Sequence, residues 1–156
     1  MNKQEINRLC REKGVTLGSV ESFTGGLFAS EITSVSGASN FFKGALVTYA
    51  NEEKEKMLDI PQEAIDQYGV VSKEVAGLMA VNGKKRLNVD ISVSFTGNAG
   101  PEAMEGKPVG EVHIGFAYSY MLQVYSYNLK GSRKEIQEQA IKIAFDILGN
   151  ILSSNY

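Results

Sequence analysis

Residues 16–37, TLGSVESFTGGLFASEITSVSG, set the architecture. Thr16 to Glu21 reads as a short strand. Thr24-Gly25-Gly26 then opens a helix that runs to about Val35, with Gly37 as a natural stop. This strand, glycine turn and helix begin an alternation that continues along the chain.

Upstream, residues 2–13 read as a helix ended by Gly14. Downstream, ALVTY at 45–49 is a second strand, and Asn51 is placed to cap a short helix through about Leu58. Pro61 suits the first turn of another short helix. Ser72 to Leu87 is a longer helix with Val75, Ala76, Met79 and Ala80 as its apolar residues. DISVSF at 90–95 is a third strand, which ends in the loop TGNAGP, and residues 101–109 stay irregular. Glu111–Tyr118 and Leu122–Leu129 form a hairpin of two further strands. Ser132-Arg133-Lys134-Glu135 is a capping box. It opens a last helix with Ile136, Ala140, Ile143, Ala144, Ile147, Leu148 and Ile151 at helical spacing. The pattern predicts an α/β layered sheet with helices on both faces, made mixed by the late hairpin.

A length of 156 residues favours one domain over 1–156, long enough to bury a core without a staple. A formal net charge of -2 supplies no global basic field for nucleic acid. The single cysteine, Cys10, excludes an internal disulfide and falls on the apolar stripe of the first helix. One cysteine and one histidine cannot supply the usual zinc ligand sets, and no metal or cofactor is expected. The first residues are charged and amphipathic, unlike a signal peptide, and no stretch approaches a membrane span. The cytoplasm is the expected compartment.

In an open α/β sheet, ligands bind beyond the carboxyl ends of the strands. Three segments meet that description: Glu21 to Gly26, Thr48 to Lys54, and Thr96 to Pro101. Ser22 precedes a helix that starts with two glycines, where free N–H groups can hold an anion or an oxyanion. The competing reading makes Ser22 or Thr24 a helix cap. As a nucleophile Ser22 needs a base. The only histidine, His113, lies inside the strand pattern EVHIGF and reads as a satisfied sheet residue. Neither G-x-S-x-G nor S-x-x-K occurs. A distant lysine remains. Lys54 lies in the first helical turn after the second strand, with Lys43 and Lys56 as competitors and a solvated surface charge as the plain alternative. A lysine base must be neutral part of the time, through burial or a neighbouring cation, and Glu52 and Glu53 would oppose that if they faced it.

Several motifs in register carry a resemblance that spans nearly the whole chain: ESFTGG at 21–26, VTYANEEK at 47–54, YGVVSKEVA at 68–76, TGNAGP at 96–101, KPVGEVHIGF at 107–116, and Gly131-Ser132-Arg133. The chain resembles the CinA C-terminal-domain family of nicotinamide-nucleotide amidohydrolases. The resemblance implies a three-layer α/β/α sandwich with a mixed, mostly parallel sheet of about five strands. It implies deamidation of nicotinamide mononucleotide to nicotinic acid mononucleotide and ammonia by a serine/lysine mechanism. The family serine falls on Ser22, the lysine on Lys54 and a relay tyrosine on Tyr49. Backbone N–H groups around Thr24, Gly25 and Gly26 would hold the oxyanion. The loop Thr96-Gly97-Asn98 and the basic residues Lys107 and Arg133 are the candidates for the substrate's phosphate, Arg133 first because the family has an arginine there.

The chain departs from the family at Phe23, where a cysteine is common, and at Asn98, where an apolar residue is usual. The stretch Glu102 to Gly106 is shorter and less glycine-rich than in many relatives. The family also occurs fused to an N-terminal nucleotide-processing domain, which the resemblance does not cover. Other functions remain open on the residues alone: a silent nucleotide-binding module, an amidohydrolase of another substrate, or an interaction protein. The expected partner is a small nucleotide, with no nucleic acid or membrane. A homodimer is expected if Tyr118, Tyr120, Tyr125 and Tyr127 mark an interface rather than fill strand faces.

Overall fold

The computed structural model describes residues 1–155. Helix α1 (Lys3–Lys13) starts in a capping box between Asn2 and Glu5 and ends at a left-handed Gly14. Strand β1 (Leu17–Glu21) leads through a turn into α2 (Leu27–Thr33). There follow β2 (Phe42–Val47), α3 (Asn51–Leu58), α4 (Gln62–Tyr68), α5 (Lys73–Leu87), β3 (Ile91–Gly97), β4 (Glu111–Tyr118), β5 (Met121–Asn128) and α6 (Arg133–Asn155). The sheet order is β2-β1-β3-β4-β5. β1 pairs in parallel with β2 and β3, and β4 pairs antiparallel with β3 and β5. Four strands therefore run one way and only β4 opposes them.

Strand alternation separates the two faces. Leu17, Ile91, Val93, Phe95, Val112, Ile114 and Phe116 join one apolar cluster with α1, α2 and α6. On the other face Val20 joins Leu58, Ile65, Val75 and Met79 of α3, α4 and α5. That second face of β3 and β4 carries small residues. The Ser94 hydroxyl donates to Ala76 O at 2.7 Å. A Cβ at Gly115 would stand 2.8 Å from the same carbonyl, so glycine there lets α5 lie close on the sheet. Cys10 is buried in the first cluster, where burial pushes its thiol up to about 12 and leaves it inert.

The structure adjusts several expected boundaries. The second strand, expected at Ala45–Tyr49, is β2 at Phe42–Val47. It ends where its partner ends, with Glu21 opposite Val47, and the Thr48 amide closes the pairing on Glu21 O at 2.9 Å. Asn51 does not cap α3: it is the first helical residue, behind an uncapped Ala50. Pro61 sits at the N-cap of α4 rather than inside it. The Ser132–Glu135 capping box forms as read, with reciprocal bonds of 3.0 and 3.2 Å. Tyr118 is buried rather than exposed, Tyr125 packs edge-on against Phe116, and Tyr127 packs on the first cluster, so only Tyr120 stands free in solvent. Among the described residues, no helix is long and apolar enough to cross a membrane.

This topology gathers one end of the sheet. The carboxyl ends of β1, β2, β3 and β5 all open there. The chain also switches sides about β1, since β2 and β3 flank it, which leaves a crevice at that end.

Candidate active site

The turn after β1 fixes Ser22. Its amide donates to Phe95 O of β3 at 3.0 Å, and its carbonyl receives the Gly25 amide at 3.0 Å. Gly25 and Gly26 have φ of 58° and 99°, left-handed values that a side chain would strain. From α6, Gln137 Nε2 donates to Phe23 O at 2.7 Å and holds the turn from outside.

Lys54 comes from the second turn end. It lies on the inner side of α3 and is 0% exposed. Its Nζ lies 3.2 Å from Ser22 Oγ and donates to Thr48 O at 2.9 Å. Burial lowers its pKa from 10.5 to about 8, against a raising influence from the Glu105 charge. A neutral amine can give one N–H to Thr48 O and turn its lone pair to the serine hydroxyl. That is the geometry of a nucleophile and its base. The competitors are elsewhere: Lys43 is exposed on β2, and Lys56 is exposed and 3.7 Å from Glu53.

Glu21 lies beneath this pair and is 0% exposed. Its carboxyl oxygens accept from Ser19 Oγ, Thr24 Oγ1, and the amides of Phe28 and Ala29, all at 2.8–3.0 Å. It therefore caps α2 from the preceding strand. The Phe28 and Ala29 amides are spent on this carboxylate and that of Leu27 on Thr24 O, so the first turn of α2 holds no ligand. Among the described residues, the amides left without a partner at the turn are those of Phe23, Thr24 and Gly26.

At the mouth, Arg133 reaches across from the start of α6. It donates to Gly100 O at 2.6 Å and to Tyr49 Oη at 2.8 Å. Tyr49 is 62% exposed. Arg133 forms no ion pair with a carboxylate among the described residues, which leaves its charge for a ligand.

The chain matches the CinA C-terminal domain over residues 1–152. It belongs to that family. It is 45% identical over 139 residues to a putative competence-damage inducible protein of Bacillus mycoides strain KBAB4, covering 88% of this chain and 34% of the relative. It is 40% identical over 149 residues to the protein of that description in Bacillus subtilis strain 168, covering 96% and 36%. The chain thus spans about a third of the length of these relatives. Among solved structures, competence/damage inducible protein CihA from Agrobacterium tumefaciens superposes with a TM-score of 0.87 at 29% identity, covering 96% of each chain. The competence damage-inducible protein A of Klebsiella pneumoniae subsp. pneumoniae MGH 78578 shares the fold with a TM-score of 0.95 at 24% identity, covering 100% of each.

Within this CinA domain the expected site residues divide. Ser22, Lys54, Tyr49, Arg133 and the backbone of Thr24 to Gly26 come to one edge. The side chains of Thr96, Asn98 and Thr24 turn inward instead. Thr96 Oγ1 donates to Val70 O at 2.6 Å, and Thr24 serves Glu21. Asn98, expected to face the ligand, is 1% exposed, and its Oδ1 receives the Gly100 amide at 3.1 Å. Its polar side chain braces its own loop. Gly97 closes β3, where a Cβ would stand 2.9 Å from Glu111 O. Lys107 donates to Val71 O and lies 3.9 Å from Glu111, so its charge is already engaged. His113 is satisfied within the sheet by Ser126 and Glu111 at 2.7 and 2.9 Å.

Three residues escaped the sequence reading: Glu21, Glu105 and Gln137. Glu21 carried a signal, because an acid as the last residue of a fully buried strand needs donors. The other two act across long sequence separations and gave none. An apolar cleft of about 480 Å3 among α1, α2 and α6, lined by Met1, Leu27, Ile141 and Phe145, holds no nucleophile–base pair.

Proposed function

We propose that this CinA-family domain is an amidohydrolase that converts nicotinamide mononucleotide to nicotinic acid mononucleotide and ammonia. The observation that carries the reading is the 3.2 Å approach of a buried lysine amine, poised near neutrality, to Ser22 Oγ. Neutral Lys54 takes the hydroxyl proton as Ser22 Oγ bonds to the carboxamide carbon. The oxyanion faces the unpartnered amides of Phe23, Thr24 and Gly26. The ammonium of Lys54 returns the proton to the departing nitrogen, and ammonia leaves an ester on Ser22. Water then attacks the ester, Lys54 takes one of its protons and passes it to the departing Ser22 oxygen, and the product acid leaves as carboxylate, giving its remaining proton to the released ammonia or to solvent. Arg133, held by Tyr49 and Gly100, supplies the positive charge suited to the substrate's phosphate. The turn amides serve the oxyanion, so the phosphate needs this second place.

Ammonia release from nicotinamide mononucleotide tests the reading, comparing wild type with Ser22→Ala. Turnover by the wild type and its loss in a folded variant are expected. Amidase activity retained by Ser22→Ala would remove the nucleophile assignment. No release by the folded wild type would leave nucleotide binding without chemistry, or another amide.

A further inference from the structure

The Gly25 amide closes a four-residue turn on Ser22 O at 3.0 Å, so the peptide unit between Phe23 and Thr24 is the centre of that turn. Turns of types I and II differ by a flip of this one unit, which makes it the part most in need of an outside hold. Gln137 of α6 supplies that hold, its Nε2 donating to Phe23 O at 2.7 Å. The Phe23 side chain is anchored as well, buried in the apolar cluster that α6 covers.

A trans peptide is planar, with its C=O and N–H pointing opposite ways. The Phe23–Thr24 bond is trans. Drawing Phe23 O toward α6 therefore turns the Thr24 N–H away from α6. Alternation along β1 puts Leu17 on the α6 face and Val20 on the α3 face, and Ser22 continues the side of Val20. Lys54 meets Ser22 Oγ there, from α3. The Thr24 N–H thus points to the side of the nucleophile and its base, and it has no partner among the described residues.

We propose that Gln137 is a positioning residue for the oxyanion site: through the Phe23–Thr24 peptide it aims the Thr24 N–H at the tetrahedral intermediate. This rests on the amidohydrolase reading of the site. The same bond polarises the unit it grips, since a carbonyl that accepts a hydrogen bond makes the N–H across its amide a stronger donor. The Phe23 N–H has a comparable brace inside the turn, because the carbonyl of its own peptide, Ser22 O, receives the Gly25 amide. The turn steadies one donor by itself, and α6 steadies the other. Arg133 lies one helical turn before Gln137, so a single helix holds both the oxyanion donor and the basic residue at the mouth. Thr24 does not take a positive φ, and its branched Cβ resists the flipped turn, which needs one. Loss of the Gln137 bond therefore loosens the peptide plane without inverting it.

The test is Gln137→Met, which keeps the side-chain length and removes the donor, beside Gln137→Lys, which restores a donor on a flexible stem. The Thr24 amide is followed by nitrogen–proton correlation NMR in the full chain. Steady-state ammonia release from nicotinamide mononucleotide is measured in parallel. In Gln137→Met the Thr24 nitrogen resonance moves upfield, kcat falls about tenfold and KM holds, because the oxyanion contact is made only in the transition state. Gln137→Lys recovers most of that loss. An unmoved Thr24 resonance in Gln137→Met overturns the proposal. So does an unchanged kcat, or a rise in KM that matches the fall in kcat, which marks a helix contact and nothing more. The NMR readout needs no turnover. A shifted resonance in a protein that releases no ammonia upholds the aiming of the amide and removes the substrate reading instead.

Discussion

Two strand-to-helix junctions lie side by side in this fold, and each buries a titratable side chain completely. At the β1–α2 junction, Glu21 meets four donors, two of them first-turn amides of α2. At the β2–α3 junction, Lys54 meets two oxygens, one a backbone carbonyl and one the Ser22 hydroxyl. Nearby, Thr48 Oγ1 is buried without a partner among the described residues. The first junction is saturated and holds the frame. The second is under-partnered, and burial there drives the amine toward its neutral form. A buried charge with every bond made stabilises structure, whereas one left short of partners is available for chemistry.

The sharpest way to break this contrast is to remove each member in turn. Ser22→Ala and Lys54→Ala should each lower turnover by roughly a thousandfold or more, read as ammonia release, while circular dichroism stays native. On the proposed serine/lysine chemistry the two losses should not add in the double variant. Glu21→Gln should act on the other axis. Its amide nitrogen faces a backbone N–H that it cannot accept from, and stability should fall by about 2–3 kcal/mol in urea unfolding. A Glu21→Gln protein as stable as wild type but inactive would reverse the roles of the two junctions.

The mouth of the site gives a smaller effect. Arg133→Ala should raise KM for the mononucleotide by roughly ten- to fiftyfold with kcat little changed, because a phosphate contact is made equally in the ground and transition states. The same substitution should leave KM unchanged for the corresponding riboside, which lacks the phosphate. An equal rise for both would place Arg133 at the ring or ribose, with Tyr49, rather than at the phosphate.

The order of layers was legible because the periodicities were clean. ISVSFT alternates apolar and small polar residues, and that alternation is the boundary between the deep core and the face that receives α5. Ser22 and Lys54 were legible only as candidates. Local sequence favoured a cap for Ser22 and a surface charge for Lys54, and the family motifs reversed both readings. What decides their chemistry, the burial of Lys54, comes from β2 stopping with β1 and turning α3 inward, an outcome of strand pairing rather than of residue type. Asn98 was misread for a related reason. A polar residue in a loop at the ligand edge suggests a contact, yet the loop's own backbone groups needed a partner first. Glu52 and Glu53 were the acids in view beside Lys54, yet Glu52 is exposed and Glu53 lies near Lys56.

The smallest effect tests whether Lys54 is held at a cost to the fold. Its pKa in the folded chain, about 8, lies below its ordinary 10.5. Between those values the unfolded chain binds more protons, so stability from this group rises with pH across the window and is lost as pH falls toward 8. Below pH 8 the ammonium is carried by both states, and the fold bears the whole penalty of burying it, at most about 3 kcal/mol. Lys54→Met removes that penalty and strands Thr48 O, which returns about 1–2 kcal/mol. The variant should therefore be more stable than wild type by about 1 kcal/mol at pH 7, though inactive. The advantage should shrink and then reverse as pH rises from 8 to 10, where the neutral lysine keeps its hydrogen bonds and the methionine has none. A stability difference that stays flat across that window would mean that Lys54 is charged throughout, and the contrast between the two junctions would disappear.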